Sequence, residues 1–241
     1  MPRLSIVVPA YNEAENLPAL VAEIQAAVTG EDYEILIVDD GSTDETAATL
    51  RSLATEEPAL RPFRMPANRG QSAALAAGIH QARGEIVVTL DADLQNDPAD
   101  IPRLIEALEG YDVVSGVRAQ RNDTWLRRVS SRIANAIRRG ALDDGISDVG
   151  CSLKAYRRSA LEGVAPFNGW HRFLPALVQF SGARVLEIPV QHRPRRSGQS
   201  SYGVGNRLGR GIVDLLGVRW LKRRHVDPRE AVPLPPAERP E

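Results

Sequence analysis

The chain of 241 residues has one cysteine, Cys151, which excludes a disulfide framework and any zinc site built from several cysteines. Its four histidines, His80, His171, His192 and His225, are too scattered for a zinc cluster. No run approaches the roughly 18 apolar residues that a membrane span needs. The apolar stretch 4–8 is too short for a signal peptide, so a cytoplasmic location is expected. No Gly-x-Gly-x-x-Gly follows the first strand-like stretch and no Gly-x-x-x-x-Gly-Lys-Ser/Thr occurs, which removes the dinucleotide fingerprint and the P-loop. Aromatic residues make up 5% of the chain, few accompany the arginines, and no nucleic-acid motif is present. A nucleic-acid partner is not expected.

What is present fits one α/β domain with a real core: 43% hydrophobic and 25% charged residues. The formal net charge of −1 conceals an asymmetry. Residues 1–110 carry 7 basic and 19 acidic side chains, a balance of −12, and residues 111–241 carry 23 and 12, a balance of +11. An acidic half suits cations, and a basic half suits phosphates or anionic lipid. The plainer account is chance and a compositional taste for arginine over lysine.

Strand and helix signals alternate. Strands are predicted at 4–8, 33–38, 63–65, 85–90 and 112–115, then at 152–156 and 184–190. Helices are predicted at 13–28, from the cap Ser42-Thr43-Asp44 to about residue 54, and at 71–82, 98–108, 124–139, 172–180 and 208–222. Repeated β-α units imply a mostly parallel sheet flanked by helices. Ligands of such sheets sit at the carboxyl ends of the strands, where Pro9 to Glu13, Asp39 to Ser42 and Asp91 to Asp93 fall. Residues 191–205 read as a polar loop rich in Arg and Gly. The Pro-rich, charged stretch 226–241 reads as a disordered tail.

The stretch TLDADLQND, residues 89–97, makes the strongest demand. On an extended backbone Asp91 and Asp93 point to the same side, and two like charges that close repel unless a cation joins them. A hard divalent ion with oxygen ligands and a bound diphosphate resolves the charge. Gln95 adds a neutral oxygen on that side if the extended geometry persists. As a plain turn, the pair would keep its repulsion for little gain. Asp39 and Asp40 point to opposite sides, so one of them faces a cleft; VDDGSTDET also reads as an acidic turn before a capped helix. Pro9 and Tyr11 offer a platform for a flat base, or a turn and helix cap.

Taken together, SIVVPAYNEAENL, ILIVDDGSTDET, NRGQSAALAAGI and VVTLDADLQNDP resemble family-2 inverting glycosyltransferases of the GT-A fold. Within that family they look like the polyprenyl-phosphate branch, that of dolichol-phosphate mannose synthases and bacterial undecaprenyl-phosphate sugar transferases. The resemblance covers residues 4–205. It implies a catalytic α/β domain over 1–205, a nucleotide-sugar donor (a UDP-sugar favoured, GDP-mannose open), Mg²⁺ or Mn²⁺, and a polyprenyl phosphate acceptor. The product would be a lipid-linked sugar for cell-envelope glycan or lipid modification. By the resemblance, Pro9, Tyr11, Glu13, Val38 and Asp40 line the base and ribose. Asp91, Ala92 and Asp93 belong to the donor site, with Asp91, Asp93 and Gln95 on the metal. Arg118 stands at the reaction centre, Arg132 receives the acceptor phosphate, and Arg195 grips the donor phosphates.

Two departures matter. The family's Gly-x-Ser-Lys reads Gly198-Gln199-Ser200-Ser201 here, so a phosphate-binding lysine is missing, with Arg196 or Arg193 as available substitutes. The Gln-x-x-Arg-Trp of processive synthases is broken by Leu216 before Arg219-Trp220. A lipid phosphate is already anionic and attacks without a general base, whereas a sugar hydroxyl needs one; the second half offers no obvious acidic pair for that role, Asp148 in SDVGCS being the exception. The rival readings are a transferase acting on a saccharide or glycolipid hydroxyl and a non-catalytic nucleotide-sugar-binding scaffold. His171 and Arg172 read as acceptor-pocket residues or as helix-start packing, and Cys151 as a small buried apolar residue. The arginine clusters at 127–139 and 207–224 read as solvated faces or as helices on an anionic bilayer. The second reading makes 206–225 a basic amphipathic segment and the protein peripheral on the cytoplasmic face of the membrane. A membrane-protein partner or homo-oligomer stays open.

Overall fold

Seven stretches, most of them rich in Val, Ile and Leu, form strands: β1 (Leu4–Ala10), β2 (Tyr33–Asp39), β3 (Leu60–Arg64), β4 (Ile86–Thr89), β5 (Val113–Arg118), β6 (Lys154–Arg157) and β7 (Val185–Val190). The computed structural model describes residues 1–118, 137–194 and 205–226, with side chains in the last stretch from 211 onward. The strands make one sheet in the order β3-β2-β1-β4-β6-β5-β7. Only β6, among the described strands, runs antiparallel to its neighbours, pairing Thr89 with Lys154 on one side and Ser115 with Lys154 on the other.

The described helices are α1 (Leu17–Ala27), α2 (Thr46–Glu56), α3 (Gln71–Gln81), α4 (Ile101–Glu106), α5 (helical residues 137–142), α6 (Arg158–Leu161), α7 (Leu174–Phe180) and α8 (Gly205–Arg224). The central strands bury both faces, as parallel strands between two helical layers must. Ile6 and Val8 of β1 join Leu17, Leu20 and Ile24 of α1 and Leu104 of α4 in one cluster. Val7 between them joins Leu75 of α3, Leu177 of α7 and Val218 of α8 in the other. Gly78 lets α3 lie close on the sheet, since a Cβ there would sit 2.4 Å from a Val7 methyl.

Several boundaries differ from those predicted. β3 begins at Leu60, and Pro62 is tolerated because β3 is an edge strand with one neighbour. The predicted helix 98–108 starts as a 3₁₀ turn, Pro98–Asp100, and becomes α-helical only at Ile101. Pro102 has no N–H to give to the turn before it. The predicted helix 124–139 lies mostly outside the described residues, as do Arg132, Arg195, Arg196 and the tail 227–241.

α8 divides its apolar residues between two environments. Leu215 and Val218 pack inward, Arg219 donates to the Ala141 carbonyl at 3.3 Å, and Lys222 donates to the Leu142 carbonyl. Ile212, Leu216 and Trp220, spaced four residues apart, face outward with Val213 and Leu221. No helix of the described residues is long and apolar enough to cross a membrane.

Candidate active site

From β1 the chain goes to β2 and β3 on one side and returns to β4 on the other. The exits of β1 and β4 therefore flank a topological switch point, where open α/β sheets bind ligands. The loops leaving β1 and β2 interlock there. The Asn12 N–H donates to Ser42 Oγ at 2.9 Å, the Thr43 N–H to Asn12 Oδ1 at 2.9 Å, and the Glu13 N–H to Thr46 Oγ1 at 3.0 Å. The Glu13 carboxylate also takes the Asn16 side-chain amide at 2.6 Å, within its own turn. Pro9 and Tyr11 are half-buried beside it, and Val38 packs its side chain beneath α3, near Gly78.

Asp39 and Asp40 diverge as successive positions on an extended backbone do. Asp39 accepts from the Ser42 N–H at 2.8 Å and lies 3.3 Å from Arg64. Asp40 accepts from the N–H groups of Arg69 and Gly70 at 2.8 and 2.7 Å. Gly41 makes the close approach feasible: at φ 70° its Cβ would stand 2.6 Å from the backbone of Ala67. The next residue, Gln71, donates its amide to Asp91 at 2.7 Å. Asp40, the Asn68-Arg69-Gly70-Gln71 turn and Asp91 thus form one connected wall.

β4 ends two residues before Asp91, so the acidic pair sits in the turn beyond the strand. Leu90, Ala92 and Leu94 nevertheless all enter the core cluster, which leaves Asp91, Asp93 and Gln95 as the residues between them. Leu94 takes φ 59°, so the extended path does not persist to Gln95, and strand geometry does not place that amide. Burial first, and the charge of Asp93 second, push the Asp91 carboxyl up to about 6, against the opposing pulls of Ser152, Lys154 and Gln71. A cation between the two would remove that strain. Both carboxylates and the Gln95 amide are hard oxygen donors, and no group of three His, Cys, Asp or Glu side chains gathers among the described residues. That set fits Mg²⁺ or Mn²⁺ held by two carboxylates, with substrate oxygens and water completing the shell.

Two strands away, about 10 Å across the sheet, Arg118 closes β5. Its guanidinium grips Asp148 with Nε at 2.8 Å and Nη2 at 2.7 Å. Arg193 does not stand as a spare phosphate ligand: its guanidinium lies between Glu23 and Asp97, 2.6 Å from each.

The sequence profile of Glycosyl transferase family 2 matches residues 5–164, two thirds of the chain. The chain belongs to that family. It is 44% identical over 205 residues to an undecaprenyl-phosphate 4-deoxy-4-formamido-L-arabinose transferase of Enterobacter sp. (strain 638), covering 83% of this chain and 62% of the relative. The corresponding Edwardsiella ictaluri transferase is 42% identical over 206 residues, with 83% and 63% covered. The chain therefore spans under two thirds of the length of these curated relatives. Among solved structures, a mannosyltransferase of Pyrobaculum calidifontis in complex with GDP-mannose and Mn²⁺ superposes with a TM-score of 0.65 at 23% identity, covering 98% of this chain and 66% of that one. Glucosyl-3-phosphoglycerate synthase of Mycobacterium tuberculosis, with Mn²⁺ and UDP-glucose, gives 0.68 at 23%, covering 90% and 79%. The fold is GT-A.

Within this family-2 domain, sequence reasoning missed the side chains that come from β6 and its approach. Ser152 Oγ accepts from the Asp91 N–H at 3.2 Å and donates to Asn96 at 2.6 Å. Lys154 is buried opposite Thr89, gives its ammonium to the Cys151 carbonyl, and lends its charge to Asp91. A lysine inside the apolar run CSLKAY was the available signal. Cys151 itself is buried, and burial pushes its thiol up.

His171 lies 2.6 Å from Ser72 Oγ through Nδ1, and the same oxygen accepts from the Gly169 N–H at 2.9 Å. A neutral ring, which its burial favours, can accept the serine proton at Nδ1. Burial, helped by Arg172 and Lys154, holds its pKa down at about 3. A depressed histidine contributes stability that is complete above the unfolded value near 6.5 and is lost as pH falls towards the folded value. The wild type is expected to lose about 2 kcal/mol from this group by pH 5. His171→Asn does not titrate there, so the gap in Tm between the two proteins should narrow from pH 7.5 to 5. Parallel Tm curves would refute a neutral His171.

Proposed function

We propose that this domain transfers a sugar, with inversion, from a nucleotide sugar to a polyprenyl phosphate. The donor side draws on the Asp91–Asp93 pair and the wall built by Asp40 and Gln71. The observation that carries the acceptor class is the Arg118–Asp148 pair. The Asp148 carboxylate is engaged by both arms of Arg118, at 2.8 and 2.7 Å, so its oxygens are not free to take a proton from an acceptor hydroxyl. An acceptor hydroxyl would need that base, whereas a phosphate monoester brings its own negative oxygen. The undecaprenyl-phosphate substrate in the names of the 44% and 42% identical relatives supports the same reading.

In this reading a phosphate oxygen of the acceptor attacks the anomeric carbon from the face opposite the diphosphate. The new C–O bond forms as the bond to the diphosphate breaks, and the nucleoside diphosphate leaves with the electron pair. Mg²⁺ or Mn²⁺ held by Asp91, Asp93 and Gln95 would neutralise charge on that diphosphate. Arg118, held in place by Asp148, supplies a fixed cation near the exit of β5. The base and ribose lie along Pro9, Tyr11, Glu13 and Asp40, and a uridine nucleotide is the favoured donor. Arg132 and Arg195 are proposed for the acceptor and donor phosphates on sequence grounds alone.

The acceptor's tail stays in a bilayer, and α8 suits the surface of one. Its outward stripe of Ile212, Leu216 and Trp220 is followed by the exposed Arg223 and Arg224, an apolar face with basic residues of the kind that lies on anionic lipid. The test is a panel of UDP- and GDP-sugars, with a nucleotide-linked 4-deoxy-4-formamido-L-arabinose among them, offered with undecaprenyl phosphate in anionic vesicles. Mass spectrometry of the lipid should find the phosphate extended by one sugar. Flotation of the protein with the vesicles should weaken as salt rises. Turnover only with a saccharide or glycolipid hydroxyl would replace the acceptor assignment, and no turnover with any donor would favour a binding scaffold.

A further inference from the structure

Beyond Asp93 the chain makes an unusual path. β4 has ended, Leu94 holds φ 59°, and a branched side chain at positive φ is disfavoured. Such a loop keeps its shape only if its surroundings hold it. From below, Leu94 is buried with Leu90 and Ala92 in the core. From the approach to β6, Ser152 Oγ donates to Asn96 at 2.6 Å, and further ties come from three residues that follow β7. The Gln191 N–H donates to Asp100 Oδ2 at 2.7 Å, His192 forms an antiparallel bridge with Asn96, and the Arg193 N–H donates to the Gln95 carbonyl at 2.7 Å. The Arg193 guanidinium then spans two elements: Nη1 meets Glu23 of α1 at 2.6 Å, and Nη2 meets Asp97 at 2.6 Å. Asp97 also accepts from the Ala99 N–H at 3.0 Å, capping the turn that leads into α4.

We propose that Arg193 is a positioning residue for the metal: it staples the Gln95–Asp97 loop to α1 and the end of β7, and so holds Asp93 and Gln95 where a divalent cation can use them. The inference rests on the metal reading of Asp91 and Asp93. A planar guanidinium with donors on two edges serves two carboxylates at once, which an ammonium cannot do in the same geometry. Groups behind the ligands of a metal typically change its affinity 10–100-fold when removed. Glu23 is the fixed end, since it belongs to a helix packed on the sheet, and Asp97 is the end that moves with the loop.

The test uses the full chain and Mn²⁺, titrated with UDP and separately with GDP, with free Mn²⁺ read by electron paramagnetic resonance. Tm is measured alongside. R193M should weaken Mn²⁺ about 10-fold, D97N should do the same, and the double variant R193M/D97N should be no worse than either. R193K should fall between wild type and R193M. Tm should drop by only a few degrees, so that the proteins compared are folded. Wild-type affinity in R193M, or additive losses in the double variant, would overturn the staple while leaving the metal site standing. A wild type that binds no Mn²⁺ would overturn the metal reading and the staple with it.

Discussion

Asp93→Asn is expected to lower sugar transfer by about a thousandfold and leave the fold intact. Asp93 is buried beside Asp91, and its charge disfavours the ionised form of Asp91 when no cation joins them. Asparagine keeps an oxygen to accept from the Gln95 N–H, now at 3.2 Å. What goes is half of the negative charge that would hold the divalent ion against the diphosphate. Removing one group that stabilises developing charge typically costs about 10²–10³ in rate, and a metal ligand sits at the upper end. Tm without metal should hold or rise slightly, because the repulsion is relieved. Turnover measured against Mn²⁺ concentration, with Tm in parallel, tests both halves. Near-normal, metal-independent transfer in the variant would end the assignment of the pair.

Asp148→Ala should be the most damaging change away from the acidic pair. The Arg118 and Asp148 side chains are 17% and 7% exposed, and the carboxylate also accepts from the N–H groups of Arg118 and Gly150 at 3.2 Å each. Alanine leaves a mostly buried guanidinium and two N–H groups without that acceptor. Breaking a buried pair by removing one partner costs about 3–5 kcal/mol, and the residual exposure places this one near the low end. About 3 kcal/mol corresponds to a Tm lower by about 10 °C in a chain of this size. Transfer should fall as well, since Arg118 loses its fixed orientation. R118M/D148L separates the two effects: replacing both charges by apolar groups should recover most of the stability and none of the transfer. A double variant that transferred sugar normally would remove Arg118 from the reaction.

The sequence alone determined the layers and the place of the site. Apolar runs of strand length alternating with helical spacing admit few arrangements other than a parallel sheet between helices, and the residues at strand exits follow from chain order. That is why Asp39, Asp40, Asp91 and Asp93 could be placed at one edge of the sheet from their positions alone. Whether a carboxylate is available there is a different matter, because it depends on partners far along the chain. Asp40 meets Arg69 and Gly70, Asp91 meets Gln71 and Ser152, and Arg118 meets Asp148. The reversed direction of β6 was equally out of reach, since alternation reads the same in both directions, yet it brings Ser152 and Lys154 to Asp91. On α8 the periodicity marked an amphipathic helix, but only packing decided that Leu215 and Val218 face the core while Ile212, Leu216 and Trp220 face outward. Arg193 shows the limit most plainly. Its place in an arginine-rich loop pointed to phosphate, and the fold placed two carboxylates 2.6 Å away on either side of it. Local pattern fixes which residues can share a face, and only the folded chain sets which charges meet.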